Sequence, residues 1–425
     1  MKTLITGATG FVGAAVLRQL LKNGHKVKAL VRKSSVLQNL KGLDVEIVYG
    51  DLLDKDSLLK CLKNCKYLFH VAADYRLWVP KPKEIYENNV TGTENLMHEA
   101  LKLGIEKIIY TSSVAVLGKP LEGDVADEDT PVNLSQIIGH YKKSKFLAEE
   151  KVKELYKTKK LPVIIVNPAA PVGPRDIKPT PTGKMVLDAA TKKIPAYLDT
   201  GLNIVHVDDV AKGQLQAFNK GKFGERYILG GENLTFKKIL EMISKLCGNK
   251  PPKIRLPRKP LYPIGYLFEI FARLLNLKNP MLTVDMIRMT EKKMFFSSEK
   301  AKKELYYNDI GGVEKEDGPG RRHPHYRAQA RDARCPRPQP SMSETPLENN
   351  VFEKEDGYNT NNNQSFTSCE RRSEHKLRKC TCHLPNTNTN MFVEHEHACR
   401  TRTCLSNTNM FVEHATRTCI SNTNA

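Results

Sequence analysis

Three short motifs in this sequence combine residue types that bind phosphate, orient an oxygen atom and move a proton. They are the glycine motif Gly7–Gly13, the hydroxyl-bearing stretch Thr111–Ser113, and the stretch Tyr141–Lys145, in which a tyrosine and a lysine lie four positions apart. A glycine turn can hold a dinucleotide, and a tyrosine beside a lysine can exchange a proton next to it. Together the three motifs predict one site that performs both tasks.

The glycine motif predicts a phosphate-binding turn between a strand and a helix. Glycine lets the backbone approach a pyrophosphate closely, and the helix N-terminus offers unpaired amides and the positive end of its dipole. A tight turn without a ligand is the alternative. The residues expected to contact the dinucleotide here are Gly7, Thr9, Gly10, Phe11, Val12 and Gly13.

The end of the second predicted strand bears on which dinucleotide is bound. Arg32 stands there, nineteen residues after Gly13, and neither Asp nor Glu occurs over residues 27–41. An acidic residue would hold the ribose 2′-hydroxyl of NAD, whereas an arginine favours the 2′-phosphate of NADP. The sequence therefore favours NADP, with NAD, or an arginine that merely lies at the surface, as alternatives. Asp51 and Leu52, after the third predicted strand, are placed to reach the adenine ring.

Tyr141 and Lys145 have the spacing of a proton-transfer pair, because residues four apart lie on one face of a helix. A phenol ordinarily has a pKa of about 10, and a neighbouring ammonium favours its ionised form. We therefore expect Lys145 to lower the pKa of Tyr141. Ser113 is expected to hold the reacting oxygen, with Ser112 as the alternative. A surface Tyr/Lys pair without function is the alternative for the helix motif.

The pattern of apolar residues predicts the elements that position these motifs. Short apolar runs alternate with stretches in which apolar residues recur three and four positions apart. This alternation predicts an α/β fold with a doubly wound parallel sheet and helices on both faces. The runs predicted to form buried strands are 2–6, 27–31, 45–48, 67–71, 107–110 and 163–166.

We predict three regions along the chain. Residues 1–167 form the dinucleotide-binding domain, residues 168–305 form a smaller substrate-binding lobe interleaved with the last sheet elements, and residues 306–425 form a low-complexity, disordered tail. In the lobe, residues 261–277 predict an apolar helix in the core or at a dimer face, with a membrane-surface helix as the alternative. The cysteines and histidines of the tail lack paired zinc-binding spacing, so no metal site is expected.

Net charge, cysteine content and the length of the apolar runs indicate which partners and which cellular compartment to expect. The net charge of the 425-residue chain is +20, and residues 1–305 carry +19 of it. No nucleic-acid-binding module accompanies this charge, so nucleic acid is not an expected partner, and peripheral contact with a membrane surface stays open. Three of the ten cysteines precede residue 306, which suits a reducing cytoplasm. No apolar run reaches the roughly 18 residues that a spanning helix needs.

These motifs resemble the extended short-chain dehydrogenase/reductase superfamily, in its branch of NAD-dependent epimerase/dehydratases and dihydroflavonol-4-reductase-like proteins. The matching stretches are Gly7–Gly13, His70–Ala73, Tyr110–Ser113, Tyr141–Lys145, Asn167–Pro168 and Val205–Val210. More narrowly, the stretches Ala73–Trp78, Gly139–Lys145 and Gly173–Gly183 look similar to those of bacterial hopanoid-associated sugar epimerases. The resemblance covers residues 1–305.

The resemblance implies a Rossmann-type fold and roles for further residues. Ser113, Tyr141 and Lys145 would be the catalytic set, with Lys145 also holding the nicotinamide ribose. Val71, Ala72, Ala73 and Pro168 would line the cofactor, and Asn89 would brace the active-site strand. The residues expected to reach the substrate are Tyr75, Arg76, Trp78, Arg175 and Lys178. A tryptophan that serves only packing is the alternative for Trp78.

The resemblance further implies an NAD(P)-dependent oxidoreductase or epimerase that acts at a secondary alcohol or ketone of a sugar-like small molecule, in hopanoid biosynthesis. A dihydroflavonol-4-reductase-like NADPH-dependent carbonyl reductase is one alternative. A non-catalytic, NADP-binding regulatory protein is another. The protein is expected in the cytoplasm, where helices of this fold can pair two copies into a homodimer.

Overall fold

The computed structural model describes residues 2–118, 125–277, 280 and 282–308. Nearly all of the predicted tail, from residue 309 onward, lies outside the described residues. The strands are β1 Lys2–Thr6, β2 Lys26–Val31, β3 Glu46–Tyr49, β4 Tyr67–His70, β5 Lys107–Thr111, β6 Val125–Ala126, β7 Val163–Pro168, β8 Ala170–Val172, β9 Ala196–Tyr197, β10 Gly201–His206, β11 Arg226–Leu229, β12 Glu232–Thr235, β13 Ile254–Arg255 and β14 Phe295–Phe296.

The helices alternate with these strands in the first half of the chain. They are α1 Phe11–Lys22, α2 Lys55–Leu62, α3 Pro82–Tyr86, α4 Gly92–Lys102, α5 His140–Lys159, α6 Pro181–Ala190, α7 Val207–Lys220, α8 Phe236–Leu246, α9 Leu261–Leu274, α10 Val284–Met289 and α11 Glu299–Leu305. A π-helical turn over Glu87–Thr91 joins α3 to α4.

Seven strands form one sheet in the order β3-β2-β1-β4-β5-β7-β11. Every neighbouring pair in it is parallel. The chain leaves β1 in one direction to form β2 and β3, and returns to the other side of β1 with β4. The topological switch point therefore lies between β1 and β4, where a doubly wound sheet opens its ligand crevice. The predicted α/β doubly wound fold is confirmed.

An apolar cluster covers each face of this sheet. Successive residues of a strand point to opposite sides, so a single strand can contribute side chains to both clusters. Leu4 belongs to one apolar cluster and Ile5 to the other. The Ile5 cluster contains side chains of α1 and α7, and the Leu4 cluster contains side chains of α2, α4 and α5. The strands are thus buried on both faces, which explains their continuous apolar runs.

A smaller lobe stands beside the large sheet. Its three-stranded sheet has the order β12-β10-β8. Helices α6 and α8 pack on it around a third apolar cluster, whose buried members are Val172, Val186, Ala189, Leu234, Ile239, Leu240 and Ile243. Strand β11 comes from this half of the chain but completes the large sheet, so the two parts are interleaved.

Helix α9 exposes most of its apolar side chains. Gly265 and Ala272 are buried, and a Cβ atom added to Gly265 would lie 2.9 Å from Cδ1 of Ile287 in α10. Leu267, on the outer face, is 55% exposed. The prediction that this helix lies in the core is therefore wrong for its outer face, whereas a dimer face and a membrane-surface helix stay predictions. In the described part of the chain, none of the helices combines the length and apolar character needed to span a membrane.

Candidate active site

The predicted site residues lie at one edge of the large sheet. Gly7 follows β1, Arg32 follows β2, Val71 follows β4 and Ser113 lies just after β5. Pro168 is the last residue of β7. Because the strands are parallel, their carboxyl ends meet at the same edge. The topology thus gathers residues that are up to 161 positions apart in the sequence.

The glycine turn closes against the neighbouring strand. Gly7 has a φ of +74°, and a Cβ atom there would lie 2.7 Å from the backbone nitrogen of Ala72. A Cβ atom on Gly13 would lie 2.1 Å from the carbonyl oxygen of Gly7. Gly10 is the N-cap of α1 and no side chain caps it. The turn therefore leaves the helix N-terminus open to a phosphate, which fits a dinucleotide.

A buried polar network, which sequence reasoning missed, fixes the backbone of Val71 and Ala72, against which the glycine turn packs. The Thr6 hydroxyl accepts hydrogen bonds from the backbone N–H groups of Val71 at 3.2 Å and Ala72 at 3.1 Å. His70 contacts the hydroxyls of Thr6 at 2.8 Å and Thr93 at 2.9 Å through its two ring nitrogens. Burial, followed by the charge of Lys145, lowers the pKa of His70 to about 3, so the imidazole is neutral.

Residues at the outer part of the same edge suit the adenosine half of the cofactor. Arg32 is exposed, and its backbone N–H donates to the Ser35 hydroxyl at 3.1 Å. Asp51 accepts a hydrogen bond from the Leu53 N–H at 2.9 Å, and the Leu52 carbonyl accepts one from Asn95 at 3.1 Å. The last two bonds fix the loop after β3. None of the three involves the Arg32 guanidinium, and Arg32 is exposed.

Ser113 and Tyr141 are neighbours, since the Ser113 hydroxyl lies close enough to the Tyr141 phenol to lower its pKa. The Ser113 Oγ also accepts from the Ala115 N–H at 3.1 Å. Ser113 is half-buried, whereas Ser112 is only 5% exposed, and its hydroxyl oxygen is buried without a hydrogen-bond partner among the described residues. Of the two serines, Ser113 is therefore the more accessible.

The expectation that Lys145 lowers the pKa of Tyr141 is wrong for this structure. Burial raises the pKa of Tyr141 above its ordinary value, the neighbouring Tyr75 acts in the same direction, and the nearby Ser113 hydroxyl opposes them. The Lys145 ammonium donates instead to the Thr111 carbonyl at 2.9 Å and to the Tyr110 hydroxyl at 3.2 Å. Burial lowers the pKa of Lys145 itself to about 8.

A second buried network, also missed, anchors the backbone at Ser113. The Asn167 amide donates to the Ser113 carbonyl and to a Glu149 carboxylate oxygen, both at 3.0 Å. Glu149 is 1% exposed and pairs with Arg226 at 3.1 Å and Lys153 at 2.9 Å. Burial alone would raise the pKa of Glu149, but the charges of these two cations help to lower it overall. Glu149 thus carries a charge that holds β7 against α5.

Asn89 connects the loop after β4 to the helix that carries Tyr141. Its side-chain oxygen accepts from the Asp74 N–H at 2.7 Å, and its amide donates to the Asp74 carbonyl at 3.0 Å and to the Ser144 hydroxyl at 2.9 Å. Asn89 lies in the π-helical turn and is 3% exposed. It therefore positions α5 relative to the residue that precedes Tyr75.

The residues predicted to reach the substrate differ in their surroundings. The Tyr75 ring lies 4.5 Å from the Tyr141 ring, centroid to centroid, and Trp78 is half-buried beneath Arg273. Lys178 is exposed. Both predicted arginines are already paired within the protein: Arg76 with Asp74 and Glu84, and Arg175 with Asp208. Their charges are thus largely compensated before any substrate binds.

The comparisons with known proteins agree with this geometry. A model of the NAD dependent epimerase/dehydratase family matches residues 3–230. A putative dihydroflavonol 4-reductase from Synechocystis is 41% identical over 71% of this chain and 88% of its own length. Sterol demethylase protein B from Methylococcus capsulatus is 34% identical over 72% of this chain and 93% of its own.

One solved structure, that of gox2253, is 55% identical, has a TM-score of 0.65, and covers 72% of this chain and 93% of its own. The family match spans the glycine turn, the Ser113 strand and the Tyr141 helix, and it continues to β11. The chain therefore belongs to the NAD dependent epimerase/dehydratase family, a group of extended short-chain dehydrogenase/reductase enzymes.

Proposed function

We propose that this protein is an NADP(H)-dependent oxidoreductase that interconverts a secondary alcohol and a ketone, with reduction as its main direction. The observation that carries this proposal is the proximity of the Ser113 and Tyr141 side chains, at the same sheet edge as the open glycine turn. Arg32, exposed at the end of β2 in a stretch without acidic residues, supports NADP rather than NAD.

The side chains suit a proton transfer to a carbonyl oxygen. Ser113 and Tyr141 both present hydroxyl groups to that oxygen, and Tyr141 gives it a proton as the alcohol forms. The raised pKa of Tyr141 keeps the phenol protonated at neutral pH, which suits an acid better than a base. A dinucleotide held on Gly7–Gly13 would supply the hydride. Lys145, which donates to the Thr111 carbonyl, would hold the nicotinamide ribose.

The relatives give independent support for the reductive direction. The 41% identical relative is a putative dihydroflavonol 4-reductase, so its name describes a ketone reductase. The paired state of Arg76 and Arg175 points away from a doubly charged nucleotide-sugar at that rim, since each guanidinium already has a carboxylate partner. We therefore place a carbonyl compound ahead of a nucleotide-linked sugar as the substrate.

A hopanoid-associated sugar epimerase is the second candidate. Its support is the match of the stretches at 73–78, 139–145 and 173–183, the first two of which meet where the Tyr75 ring contacts Tyr141. In an epimerase the cofactor removes a hydride from a sugar carbon and returns it to the other face. The cofactor is then recycled rather than consumed.

Purified protein incubated with NADPH and a panel of ketones and sugars separates the candidates. A reductase lowers the NADPH absorbance in proportion to alcohol formed, and prefers NADPH to NADH. Isomerised sugar with constant NADPH would favour the epimerase instead. Tight NADPH binding without any conversion across the panel would contradict both and favour a regulatory protein.

A further inference from the structure

We propose that a cavity beside Ser113 binds an anionic group of the substrate, a carboxylate or a phosphate, through Lys142 and Lys292. The proposal rests on the proposed function, because it assigns a substrate class to that same site. It gives the enzyme a preference for ketones or secondary alcohols that carry an acidic group at one end.

The cavity is lined by the residues that directly follow Ser113 and Tyr141 in the chain. Its volume is about 220 Å³, and its wall includes Val114 and Ala115, which follow Ser113 directly, together with Lys142, Lys292 and Arg258. Pockets that enclose whole drug-sized ligands measure roughly 300–1,000 Å³. This cavity is therefore suited to one end of a substrate whose carbonyl lies at Ser113.

Two of the lysines in this wall, Lys142 and Lys292, have no carboxylate partner among the described residues. The Lys142 ammonium lies 3.5 Å from the sulfur of Met294, a weak acceptor, and forms no ion pair with the described residues. Lys292 likewise has no ion pair within the described part of the chain, and it lies close enough for its charge to lower the pKa of Lys142 to about 8 after burial has acted. The Arg258 Nε is buried without a partner among the described residues.

The acidic residues of the wall are engaged elsewhere. Asp199 pairs with Arg255 at 2.8 Å, and its carbonyl accepts from Arg258. Glu291 accepts a hydrogen bond from Tyr262. Neither carboxylate forms an ion pair with Lys142 or Lys292, so among the described residues these two ammonium groups lack a direct counter-charge. An anion would supply that counter-charge and gain charge-assisted hydrogen bonds.

An anionic group of the substrate is therefore expected at Lys142 and Lys292 and not at the arginines of the rim. The arginines at the rim, Arg76 and Arg175, already have carboxylate partners, whereas Lys142 and Lys292 have none in the part of the chain that the structure describes. An acidic group bound at Lys142 and Lys292 would direct the carbonyl of the same substrate molecule toward Ser113. Substrates of the same shape without the charge would lose that contact.

The first test compares 4-acetylbenzoate with its methyl ester, two ketones that differ in charge. We expect the wild-type enzyme to favour the acid in kcat/KM by about ten- to a hundredfold, as one charge-assisted hydrogen bond would give. Lys142→Met and Lys292→Met should each bring this ratio toward one, mainly by raising KM for the acid. Lys143→Met, the matched control on the same helix outside the cavity, should keep the wild-type ratio. A wild-type ratio near one, or an unchanged ratio in both cavity variants, overturns the proposal.

The second test needs no turnover and so separates this proposal from the proposed function. The protein is treated with an amine-acylating reagent, with and without inorganic phosphate, and the modified lysines are quantified by mass spectrometry. Phosphate should slow acylation of Lys142 and Lys292 at least about tenfold more than that of Lys143. Equal slowing at all three overturns the anion site, even if ketones are reduced. Selective protection in a protein that reduces no ketone would retain the site and refute only the reductase.

Discussion

Replacing Asn89 by Ala should disturb both stability and catalysis, because this side chain ties two parts of the site together. The variant loses three buried hydrogen bonds, two with the Asp74 backbone and one with Ser144. Each is worth about 1 kcal/mol net, and the freed groups stay buried. We therefore expect the free energy of unfolding to fall by roughly 3 kcal/mol. Tyr75 and Tyr141 should shift apart, lowering kcat/KM by about 10- to 100-fold.

The assay is urea unfolding together with ketone reduction, measured where the variant is still fully folded. Asn88→Ala is the matched control, since Asn88 makes one long bond of 3.4 Å to the Asp74 carboxylate. It should lose less than about 1 kcal/mol and keep its activity. Equal losses in the two variants, or an Asn89→Ala protein with wild-type kcat/KM, would refute the positioning role of Asn89.

Three further predictions concern the cofactor and the buried lysine. Arg32→Ala should weaken NADPH binding at least about tenfold, as the loss of a charge-assisted bond implies, and leave NADH binding within twofold in fluorescence titrations; equal weakening would reject the 2′-phosphate role. Gly13→Ala should abolish binding of both dinucleotides by calorimetry, because its Cβ would meet the Gly7 carbonyl at 2.1 Å; retained binding would contradict the cradle. The Lys145 proton leaves near pH 8 in the folded protein and near 10.5 in the unfolded one. Over that interval the unfolded state binds more protons, so wild-type stability should rise relative to Lys145→Met as the pH increases, and a falling difference in urea unfolding would contradict this.

The sheet was predictable because its strands are buried on both faces, which requires continuous apolar runs. The run at residues 2–6 coincides with β1, and the run at 163–166 lies within β7, which continues to Pro168. The placement of Ser113 at the same edge as the glycine turn also follows from the sequence, since parallel strands bring their carboxyl ends to one edge.

The buried polar networks were not predictable to the same degree, because their partners are distant in the sequence. Glu149 lies 77 positions from its partner Arg226. The one available signal is helical spacing: Glu149 stands four residues after Lys145 and eight after Tyr141, on the same helix face. The direction of the pKa shift of Tyr141 was missed for a similar reason. Spacing places Lys145 on the correct face but does not say that its ammonium turns to the Thr111 carbonyl.

The central claim is that Tyr141 transfers the proton beside a bound nicotinamide, and Tyr141→Phe tests it most directly. Removal of a positioned acid should lower the rate of ketone reduction by roughly 10²- to 10⁴-fold while the Kd for NADPH stays within twofold. Tyr156→Phe, the same substitution on the same helix, should retain wild-type turnover. Reduction by Tyr141→Phe at a rate close to that of the wild type would contradict the assignment of this phenol as the proton donor.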